Sequence, residues 1–576
     1  MRSLQSLNLQ PILSTEGMRN LDAASKEFLA KKTTSEPSEK DVIQSGYTLM
    51  QEAGLALFKF VKKRIGNDYG YHSGPFIAIF IGGGNNGGDG LVLAKHLLQA
   101  GIRAFVFSLA PASKFKNEAK LALDDFLQAG GELEESAKFV ESFGKNLYSL
   151  RKTFPFVVDC MLGNGAKGEL RSEYAKIVQI INESGLPVIA ADAPTGYDSS
   201  LHICNNICVH AKETMLFGFP RLDAYTKEGG PAFGKAVVAQ LNYPSEVVQQ
   251  FGEKNYLVTE DDIPQLLPLR NEWGDKRHQG TAFIIAGSKD MPGAAALCTE
   301  AALRSGAGLV TLATTEAITP IIQAKLSEPV FCSLEDRAVE NCRDDVRSEN
   351  RGTLQPHHIP TLLDRAKHAS AIAIGPGLST NFGTFEAVLA LLPQLKAPTV
   401  IDADALNAIA MLDDAEPRCG MVFHDEKSKI PAVTEYLRNL QQPAILTPHV
   451  REFARLFGEL PNSSMAIPSR LREIATNTNK VILLKGAPTY IASPDGNVYI
   501  IPVANSGMAK GGSGDVLSGI IVALLAQGLA TPEAAVLGAL LHQKAGRIAR
   551  EELGAFSMLP SDIIKNLHKA FVQNNA

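Results

Sequence analysis

The chain has 576 residues, of which 45% are hydrophobic and 20% are charged, a composition typical of globular proteins and unlike disordered or fibrous ones. Its net charge of −5 gives no reason to expect nucleic acid or an anionic membrane as a partner. No window has the roughly 18 consecutive apolar residues that a membrane span needs. Because a single core rarely grows past about 250–300 residues, the length predicts two domains.

The cysteines predict neither a zinc site nor a disulfide framework. Seven cysteines are present, and only Cys204 and Cys208 lie close together, with no second ligand pair after them. This usage fits a reducing compartment. Since the N-terminal segment also lacks the apolar core and cleavage site of a secretory signal, we expect a cytoplasmic protein.

Short apolar strands alternate with helical patterns in the first part of the chain. We predict strands at 75–81, 102–109, 156–159 and 187–192, with a helix at 91–98. This alternation is typical of a parallel, doubly wound α/β sheet. The pattern stops in a polar stretch, residues 242–262, where we expect a domain boundary.

A second βα series follows, which predicts a second α/β domain. Its strands are expected at 281–286, 308–312, 371–374, 399–402, 444–446 and 481–484. The charged stretch 333–357 is predicted to be a surface excursion within this domain. The predicted domains therefore cover residues 1–245 and 256–576.

The first motif, Gly82–Gly90, follows a strand and opens a helix. Glycines at this position let main-chain N–H groups approach a phosphate, but the glycine pattern alone equally fits a tight turn. The embedded Asn85, Asn86 and Asp89 favour a functional interpretation, because a turn does not require two amides and a carboxylate.

Two further motifs place carboxylates where predicted strands end. Asp159 stands in Val-Asp-Cys-Met-Leu-Gly-Asn-Gly, and Asp192 in Asp-Ala-Pro-Thr-Gly, which also contains Thr195. Open α/β sheets bind ligands at this edge. A single Asp there is often a helix cap, whereas two of them beside the glycine loop predict a site that holds a hard cation or handles protons.

Together these motifs resemble the NAD(P)H-hydrate epimerases, over roughly residues 12–245. Tyr47–Gly54 and Met18–Asp22 also match the opening helices of that family. The resemblance implies a Rossmann-like three-layer fold and a K⁺ ion held by Asn86, Asp159 and Thr195, the last usually a Ser. It implies substrate contacts by Asn85, Asn86, Gly87, Gly88, Asp89, Gly163, Asn164, Gly165, Ala166, Lys167, Gly168, Glu169 and Asp192. Asn164 replaces a common Thr, and Asp192 is expected to move the proton.

The strongest motif of the chain is Asn505–Asp515, which precedes an apolar helix. Glycines 511, 512 and 514 expose N–H groups at a helix N-terminus, an arrangement suited to a polyphosphate. Asp515 can then take the proton of a hydroxyl that attacks the terminal phosphoryl group. The alternative is a capping Asp after a flexible loop.

Other segments of the second domain also follow strands and carry polar or glycine-rich turns. They are Met291–Ala296, Ile374–Leu378, Thr447–Arg455 and Lys485–Thr489. A lone His such as His449 is more often structural, but the cationic residues beside it suit an anionic ligand. The lysine and main chain of Lys485–Thr489 could reach a nucleotide.

The Gly-Gly-Ser-Gly-Asp core resembles the ribokinase-like superfamily, and the full motif set resembles the NAD(P)H-hydrate dehydratases over roughly residues 256–572. The resemblance implies contacts to the hydrated cofactor by Ala294, Gly377, His449, Val450, Arg451, Glu452, Phe453, Ala454, Arg455 and Asp515. It implies nucleotide contacts by Lys485, Gly486, Ala487, Pro488, Thr489, Asn505, Ser506, Gly507, Met508, Ala509, Lys510, Gly511, Gly512, Ser513 and Gly514. Ser379 and Lys510 depart from the usual Gly and Thr, and Lys510 is expected to affect nucleotide preference.

The two resemblances predict one bifunctional enzyme. The first domain would interconvert the R and S hydrates of NADH and NADPH, and the second would dehydrate the S hydrate with ADP or ATP and Mg²⁺, ADP being favoured. Asp515 and Asp192 are the predicted catalytic residues, and a homo-oligomer is expected. The alternatives are a ribokinase-like small-molecule kinase and a first domain that only binds.

Overall fold

The computed structural model describes residues 3–7, 9–68, 76–144, 146–251, 253–270, 272–336, 351–413 and 431–572. They form two compact units, a front unit within Gln10–Glu253 and a back unit within Met1–Leu9 and Lys254–Ala576. The division falls inside the polar stretch 242–262. Leu4 and Leu7 are buried in the core of the back unit, although the sequence places them in the first domain.

All seven strands of the main sheet in the front unit are parallel. Their spatial order is Lys235–Ala239, Glu213–Phe217, Val188–Ala191, Val157–Cys160, Ile77–Ile81, Ala104–Ser108 and Glu134–Glu135. The central strands are fully buried, which explains why they are apolar throughout.

The strand Ile77–Ile81 shows how the front sheet separates two helical layers. Its three isoleucines pack on one face, whereas Ala78 and Phe80 pack on the other, because successive side chains of a strand point in opposite directions. The first face meets the helices Glu39–Asp68, Asn85–Gln99 and Asn117–Gln128. The second face meets Ser136–Phe143, Leu147–Thr153 and Ser172–Ser184. The predicted three-layer fold is thereby confirmed.

The remaining elements of the front unit are short, except for one helix that borders the site described below. They are the strand Gln10–Pro11, the helices Thr15–Thr33, Gly230–Phe233 and Ser245–Val248, and the hairpin Tyr197–Asp198 with Ile203–Cys204. Ser14 caps the helix Thr15–Thr33 by accepting a hydrogen bond from the N–H of Gly17, which fixes where this helix begins.

The expectation that the chain forms no disulfide was wrong, because Cys204 and Cys208 are bonded to each other. The hairpin turns the chain so that their Cα atoms lie 5.7 Å apart, within the range that a disulfide requires. Sequence spacing did not reveal this approach, since the turn that produces it depends on strand pairing.

The back unit contains a mainly parallel sheet. Ten strands of this unit follow the order Asn255–Leu257, Val498–Ile501, Thr489–Ala492, Val481–Leu484, Ala444–Leu446, Thr399–Ile401, Ala371–Ile374, Thr281–Ile285, Leu309–Thr315 and Val330–Leu334. Thr489–Ala492 is antiparallel to both of its neighbours. The α/β class predicted for this domain is confirmed.

One helix lies at the centre of the back unit. Ser513–Ala526 is buried on nearly all sides, which explains its uniformly apolar sequence, and it packs with the strand residues Ala282 and Ile284. The other helices are Ile263–Leu266, Pro292–Arg304, Thr319–Gln323, Ile359–Ala366, Phe382–Leu391, Asp404–Ala410, Ala432–Asn439, Val450–Phe457, Ile467–Thr478, Thr531–Ser557 and Pro560–Phe571.

Two sequence expectations concern the surface of the chain. Of the charged stretch 333–357, residues 337–350 lie outside the described residues, and the strand Val330–Leu334 extends into its start. Among the described residues, none of the helices has the length and apolar character to cross a bilayer.

Candidate active sites

The glycine loop of the front unit is shaped by close main-chain packing. A Cβ atom on Gly87 would lie 1.8 Å from the carbonyl oxygen of Gly82, and one on Gly82 would lie 2.0 Å from that of Met161. The glycines therefore let the helix Asn85–Gln99 start directly against two strand ends. This packing leaves Asn86 and Asp89 buried and Asn85 exposed.

A cavity of about 720 Å³ opens at this edge of the sheet. The predicted residues that line it are Asn85, Asn86, Asp89, Gly163, Asn164, Gly165, Ala166 and Asp192. The lining does not include Gly87, Gly88, Lys167, Gly168 or Glu169. The first part of the 163–169 loop thus faces the cavity together with the glycine loop and the Asp192 turn.

Asp192 is held in the cavity wall by two neighbours. The buried Arg221 donates to its carboxylate through Nη1 and, through Nη2, to its carbonyl oxygen at 2.7 Å. The N–H of Asn164 donates to Oδ2 at 3.2 Å. Asp192 has φ +61°, an uncommon conformation for a residue with a side chain, and such strain often accompanies functional sites.

Four other carboxyl groups line the same cavity, those of Asp22, Glu27, Asp89 and Glu118, and sequence reasoning gave only Asp89 a role. Burial and the charges of Asp192 and Asp22 raise the pKa of Asp89 well above its ordinary value. Burial raises the pKa of Asp22 to about 6, although a hydrogen bond from the Tyr243 hydroxyl opposes this. Arg221 and Tyr243 were also missed, since only the fold brings them to this edge.

Asp159 is fully buried next to Thr195. Its carboxylate accepts from the Thr195 hydroxyl at 2.7 Å, the Thr195 N–H at 2.8 Å and the Met161 N–H at 3.1 Å. Among the described residues, only these neutral groups donate hydrogen bonds to Asp159, and burial raises the pKa of Asp159 to about 6.

Two of the predicted K⁺ ligands, Thr195 and Asn86, lie beside the loop that contains Leu162 and Gly163. The Thr195 hydroxyl accepts from the N–H of Leu162 at 3.0 Å, and a Cβ on the next residue, Gly163, would lie 3.2 Å from the Cβ of Asn86. Both amide atoms of Asn86 are buried without a hydrogen-bond partner. A buried amide oxygen, a buried carboxylate and a hydroxyl form a donor set that fits a hard cation.

A paired network occupies the edge of the sheet in the back unit. The buried Asp402 accepts from Lys485 Nζ at 2.8 Å and from the Ser518 hydroxyl at 2.7 Å. Lys485 also lies 3.7 Å from the carboxylate of Glu452. The ammonium holds the pKa of Asp402 below its ordinary value in spite of burial. Sequence reasoning assigned Asp402 no role, although it is the last residue of the predicted strand 399–402.

Asp515 lies in the first turn of the helix Ser513–Ala526, as predicted. Burial and the charge of Asp402 raise its pKa to about 7, and Lys485 opposes this shift. A Cβ on Gly514 would lie 3.3 Å from Lys485 Nζ, so the glycine lets the loop pass beside the network. The Asp515 carboxyl group can therefore exchange a proton near neutral pH.

The loop before Asp515 contains unsatisfied polar groups. Among the described residues, Asn505 Nδ2 and the Ser513 hydroxyl of this loop are buried without hydrogen-bond partners, as is Nε2 of His542 on the helix Thr531–Ser557. Lys510 instead donates to the carbonyl oxygens of Phe556 and Met558, both at 2.7 Å, so its ammonium is bound by main chain. Gly512 has φ +100°, which favours glycine where the helix begins.

Some residues of the expected dehydratase site come together. A Cβ on Gly377 would lie 2.7 Å from the Cβ of Ala294, so these two turns are in contact. His449 pairs with Lys485 in a short β-bridge. Ser379, in the turn after Gly377, has φ +84°, which explains why glycine is usual at this position.

The segment His449–Arg455 has a structural part and an exposed part. His449 caps the helix Val450–Phe457 by accepting from two main-chain N–H groups, and Glu452 returns a bond to the N–H of His449. Phe453 is fully buried in the core. Arg455 is exposed and donates to Asn407. In this structure, His449 therefore caps a helix and Phe453 packs in the core.

The segment Lys485–Thr489 contains a cis Ala487–Pro488 bond. The Thr489 hydroxyl donates to the carbonyl oxygen of Gly486 at 2.9 Å and accepts from Gln543 Nε2 at 3.0 Å. Gly486 and Ala487 are exposed. Their main chain is accessible, in keeping with the predicted nucleotide contact.

Comparison with known proteins identifies the family. A family model described as NAD(P)H-hydrate dehydratase matches residues 282–569, and one described as YjeF-related protein N-terminus matches residues 46–222. The chain is 34% identical to the bifunctional NAD(P)H-hydrate repair enzyme Nnr of Moorella thermoacetica, with 90% of each chain covered. For the enzyme of that name from Thermofilum pendens the identity is 32%, with 91% of each covered.

The chain belongs to the bifunctional NAD(P)H-hydrate repair enzymes. The ADP/ATP-dependent NAD(P)H-hydrate dehydratase of Bacillus subtilis, co-crystallised with ATP/Mg²⁺, is 30% identical over 55% of this chain and 98% of its own, with a TM-score of 0.41. Membership of the repair enzyme family confirms both resemblances predicted from the motifs. The two family models also agree with the predicted order of the domains.

Proposed function

We propose that the front unit interconverts the R and S hydrates of NADH and NADPH, and that the back unit dehydrates the S hydrate at the expense of a nucleotide. The observation that carries this proposal is a family match along about nine tenths of the chain. Each unit also has a carboxyl group with a pKa near neutrality beside its sheet edge, Asp22 in the front unit and Asp515 in the back unit.

The reaction of the back unit requires a better leaving group than hydroxide. Asp515 takes the proton of the C6 hydroxyl of the S hydrate, and the hydroxyl oxygen attacks the terminal phosphoryl group of ADP or ATP. The bond from this phosphorus to the bridging oxygen breaks, and AMP or ADP leaves with that oxygen and the electron pair. Phosphate then leaves C6 with the C–O electron pair. Loss of a proton from C5 restores the double bond of the reduced nicotinamide.

The nucleotide would bind along Lys485–Thr489 and Asn505–Gly514. Lys485 supplies a positive charge that Asp402 keeps in place at 2.8 Å, and the unpartnered Asn505 amide and Ser513 hydroxyl can donate to phosphate oxygens. Among the described residues, no group of three or more His, Cys, Asp or Glu side chains is arranged to hold a metal ion. We therefore propose that Mg²⁺ comes with the phosphates, whose charge it neutralises. ADP is the proposed phosphoryl donor.

In the front unit, Asp192 is the proposed base that handles the C6 hydroxyl proton. Arg221 and the N–H of Asn164 orient its carboxylate toward the cavity. Asn86, Asp159 and Thr195 would hold K⁺, which offsets the charge of the buried Asp159 carboxylate. The contacts expected for Asn85–Asp89 and Gly163–Glu169 remain proposals. The homo-oligomer and the cytoplasmic location stay predictions.

Purified R and S hydrates test both activities on the full chain. With S hydrate and ADP, we expect the absorbance of reduced nicotinamide to return; with R hydrate and ADP, we expect the same return faster than the uncatalysed blank. Without nucleotide, R hydrate should equilibrate with S hydrate, as measured by chromatography, and no NAD(P)H should form. A stable phosphorylated product without recovered NAD(P)H would instead identify a kinase.

A further inference from the structure

Asp22 lines the front cavity, and the reaction described above leaves its carboxyl group without a role. It lies half-buried on the helix Thr15–Thr33 and accepts a hydrogen bond from the hydroxyl of Tyr243, which lines the same cavity. Asp89, Asp192, Glu27 and Glu118 also line this cavity, and Glu118 pairs with Lys26. The carboxyl groups of Asp22, Asp89 and Asp192, on three separate elements, therefore converge on one chamber.

We propose that Asp22 is a further catalytic residue of the front unit, the general acid that protonates the ring nitrogen while Asp192 deprotonates the C6 hydroxyl. This inference rests on the epimerase function proposed above. Inverting C6 requires a bond at that carbon to break and to form again on the other face. An acid and a base on different elements of the cavity wall can act on two atoms of the ring at once.

The step balances without a further reactant. Asp192 takes the hydroxyl proton, the O–H electron pair becomes the second C–O bond, and the C6–N1 pair moves to N1, which receives the proton of Asp22. The product is an open-chain aldehyde that rotates about the C5–C6 bond. Ring closure on the opposite face returns one proton to Asp22 and the other to the oxygen.

The surroundings of the two aspartates suit these different roles. Asp192 has an ion pair with Arg221 and a main-chain donor, which hold its carboxylate in place in the cavity wall. Asp22 has no such ion pair among the contacts of the described residues, and burial together with Asp192 raises its pKa to about 6. The hydrogen bond from Tyr243 lowers that pKa, so Tyr243 is a positioning residue that tunes the acid.

The first test is Asp22→Asn in the full chain, assayed with R hydrate in the absence of nucleotide. We expect kcat for interconversion to fall about 10²- to 10⁴-fold, the range typical of a lost general acid, with KM changing less. Asp124→Asn is the matched control, because the Asp124 side chain is 44% exposed and pairs with Lys120; it should keep the rate of the unmodified chain.

Folding is checked in the same samples. Amide exchange of the strand Ile77–Ile81 should match the unmodified chain, and dehydration of S hydrate should continue at the normal rate. Asp22→Glu restores a carboxyl group and should recover part of the lost rate. This second variant separates the loss of an acid from damage to the cavity.

Tyr243→Phe provides a readout that a purely structural role would not change. Without the hydroxyl, the pKa of Asp22 rises, so the loss of activity toward alkaline pH should move to higher pH. Asp192, Asp89, Lys26 and Arg221 also act on this group, and all are retained in the variant. Tyr148→Phe, at an exposed position, should leave the profile unchanged.

The outcomes separate the two levels of the proposal. If the unmodified chain does not interconvert the hydrates, the proposed epimerase function fails and the role of Asp22 fails with it. If the chain interconverts them and Asp22→Asn retains more than about a tenth of kcat, which is outside the range for a lost general acid, the epimerase stands and Asp22 is not its acid. An unchanged pH profile in Tyr243→Phe overturns the tuning role.

Discussion

Asp159 of the front unit and Asp402 of the back unit differ in the charge of the groups that donate hydrogen bonds to them. Each is buried at the carboxyl end of a parallel strand. Asp402 has the ammonium of Lys485 at 2.8 Å and a lowered pKa, whereas among the described residues Asp159 has hydrogen bonds from neutral donors only and a pKa raised to about 6. A buried carboxylate needs a compensating charge. The back unit provides one from its own chain, and in the front unit the proposed K⁺ ion would provide it.

The largest expected effect comes from replacing Asp515, the proposed base of the back unit. Asp515→Asn removes the proposed base, so turnover of S hydrate with ADP should fall about 10²- to 10⁴-fold. Nucleotide affinity should change little, because the asparagine keeps the size of the side chain. Calorimetric titration with ADP and Mg²⁺ checks binding, and absorbance of reduced nicotinamide checks turnover. Turnover within a factor of ten of the unmodified chain, outside that range, would refute the role of Asp515 as the base.

The next effect tests whether Lys485 compensates Asp402. Lys485→Met leaves a buried carboxylate unpaired and should destabilise the back unit by about 3–5 kcal/mol. Denaturant unfolding measures this loss, and adding Asp402→Asn in the same chain should recover part of it.

A second buried lysine gives the matched control. Lys480 donates to main-chain carbonyls of Leu440 and Asn479, and burial lowers its pKa. Lys480→Met should therefore cost less than Lys485→Met, since it leaves no ion unpaired. Equal losses in the two variants would show that the pairing with Asp402 is not what stabilises the back unit.

The K⁺ ion proposed to bind at Asn86, Asp159 and Thr195 should stabilise the front unit. Replacing choline with K⁺ at constant ionic strength should stabilise this unit, by about 2.7 kcal/mol at a hundred times the dissociation constant. Amide exchange of the strand Val157–Cys160 measures the gain. Asp159→Asn should abolish it, and Asp124→Asn should retain it. The strand Thr399–Ile401 of the back unit should be insensitive to the exchange of cations.

The same comparison shows what the sequence could predict. Asp159, Asp192 and Asp515 could be predicted as site residues because each lies at a strand end or after a glycine loop within a recognisable motif. Asp22 and Tyr243 lie far apart in the chain and meet only in the folded cavity, and Arg221 reaches Asp192 only in the folded chain. Lys485 was predicted as a nucleotide ligand, but its pairing with Asp402 depends on two adjacent strand ends. Local motifs therefore identified the loops, and long-range contacts determined the charge state of their side chains.

The smallest expected effect is a shift in the pH dependence of turnover, because Asp402 also changes the pKa of Asp515. The charge of Asp402 raises the pKa of Asp515, which is about 7. A base is active when deprotonated, so the turnover of S hydrate should rise with pH through this range. Asp402→Asn removes the negative charge, lowers the pKa of Asp515 and moves the acid limb of the pH–rate profile to lower pH.

Asp404→Asn supplies a graded control for this shift. Asp404 also raises the pKa of Asp515, but less than Asp402 does. The acid limb should therefore move in the same direction and by a smaller amount. Single-turnover rates at saturating ADP measure both limbs without interference from product release. If Asp402→Asn moves the limb to higher pH, or Asp404→Asn moves it further than Asp402→Asn, a charge other than that of Asp402 controls the proposed base.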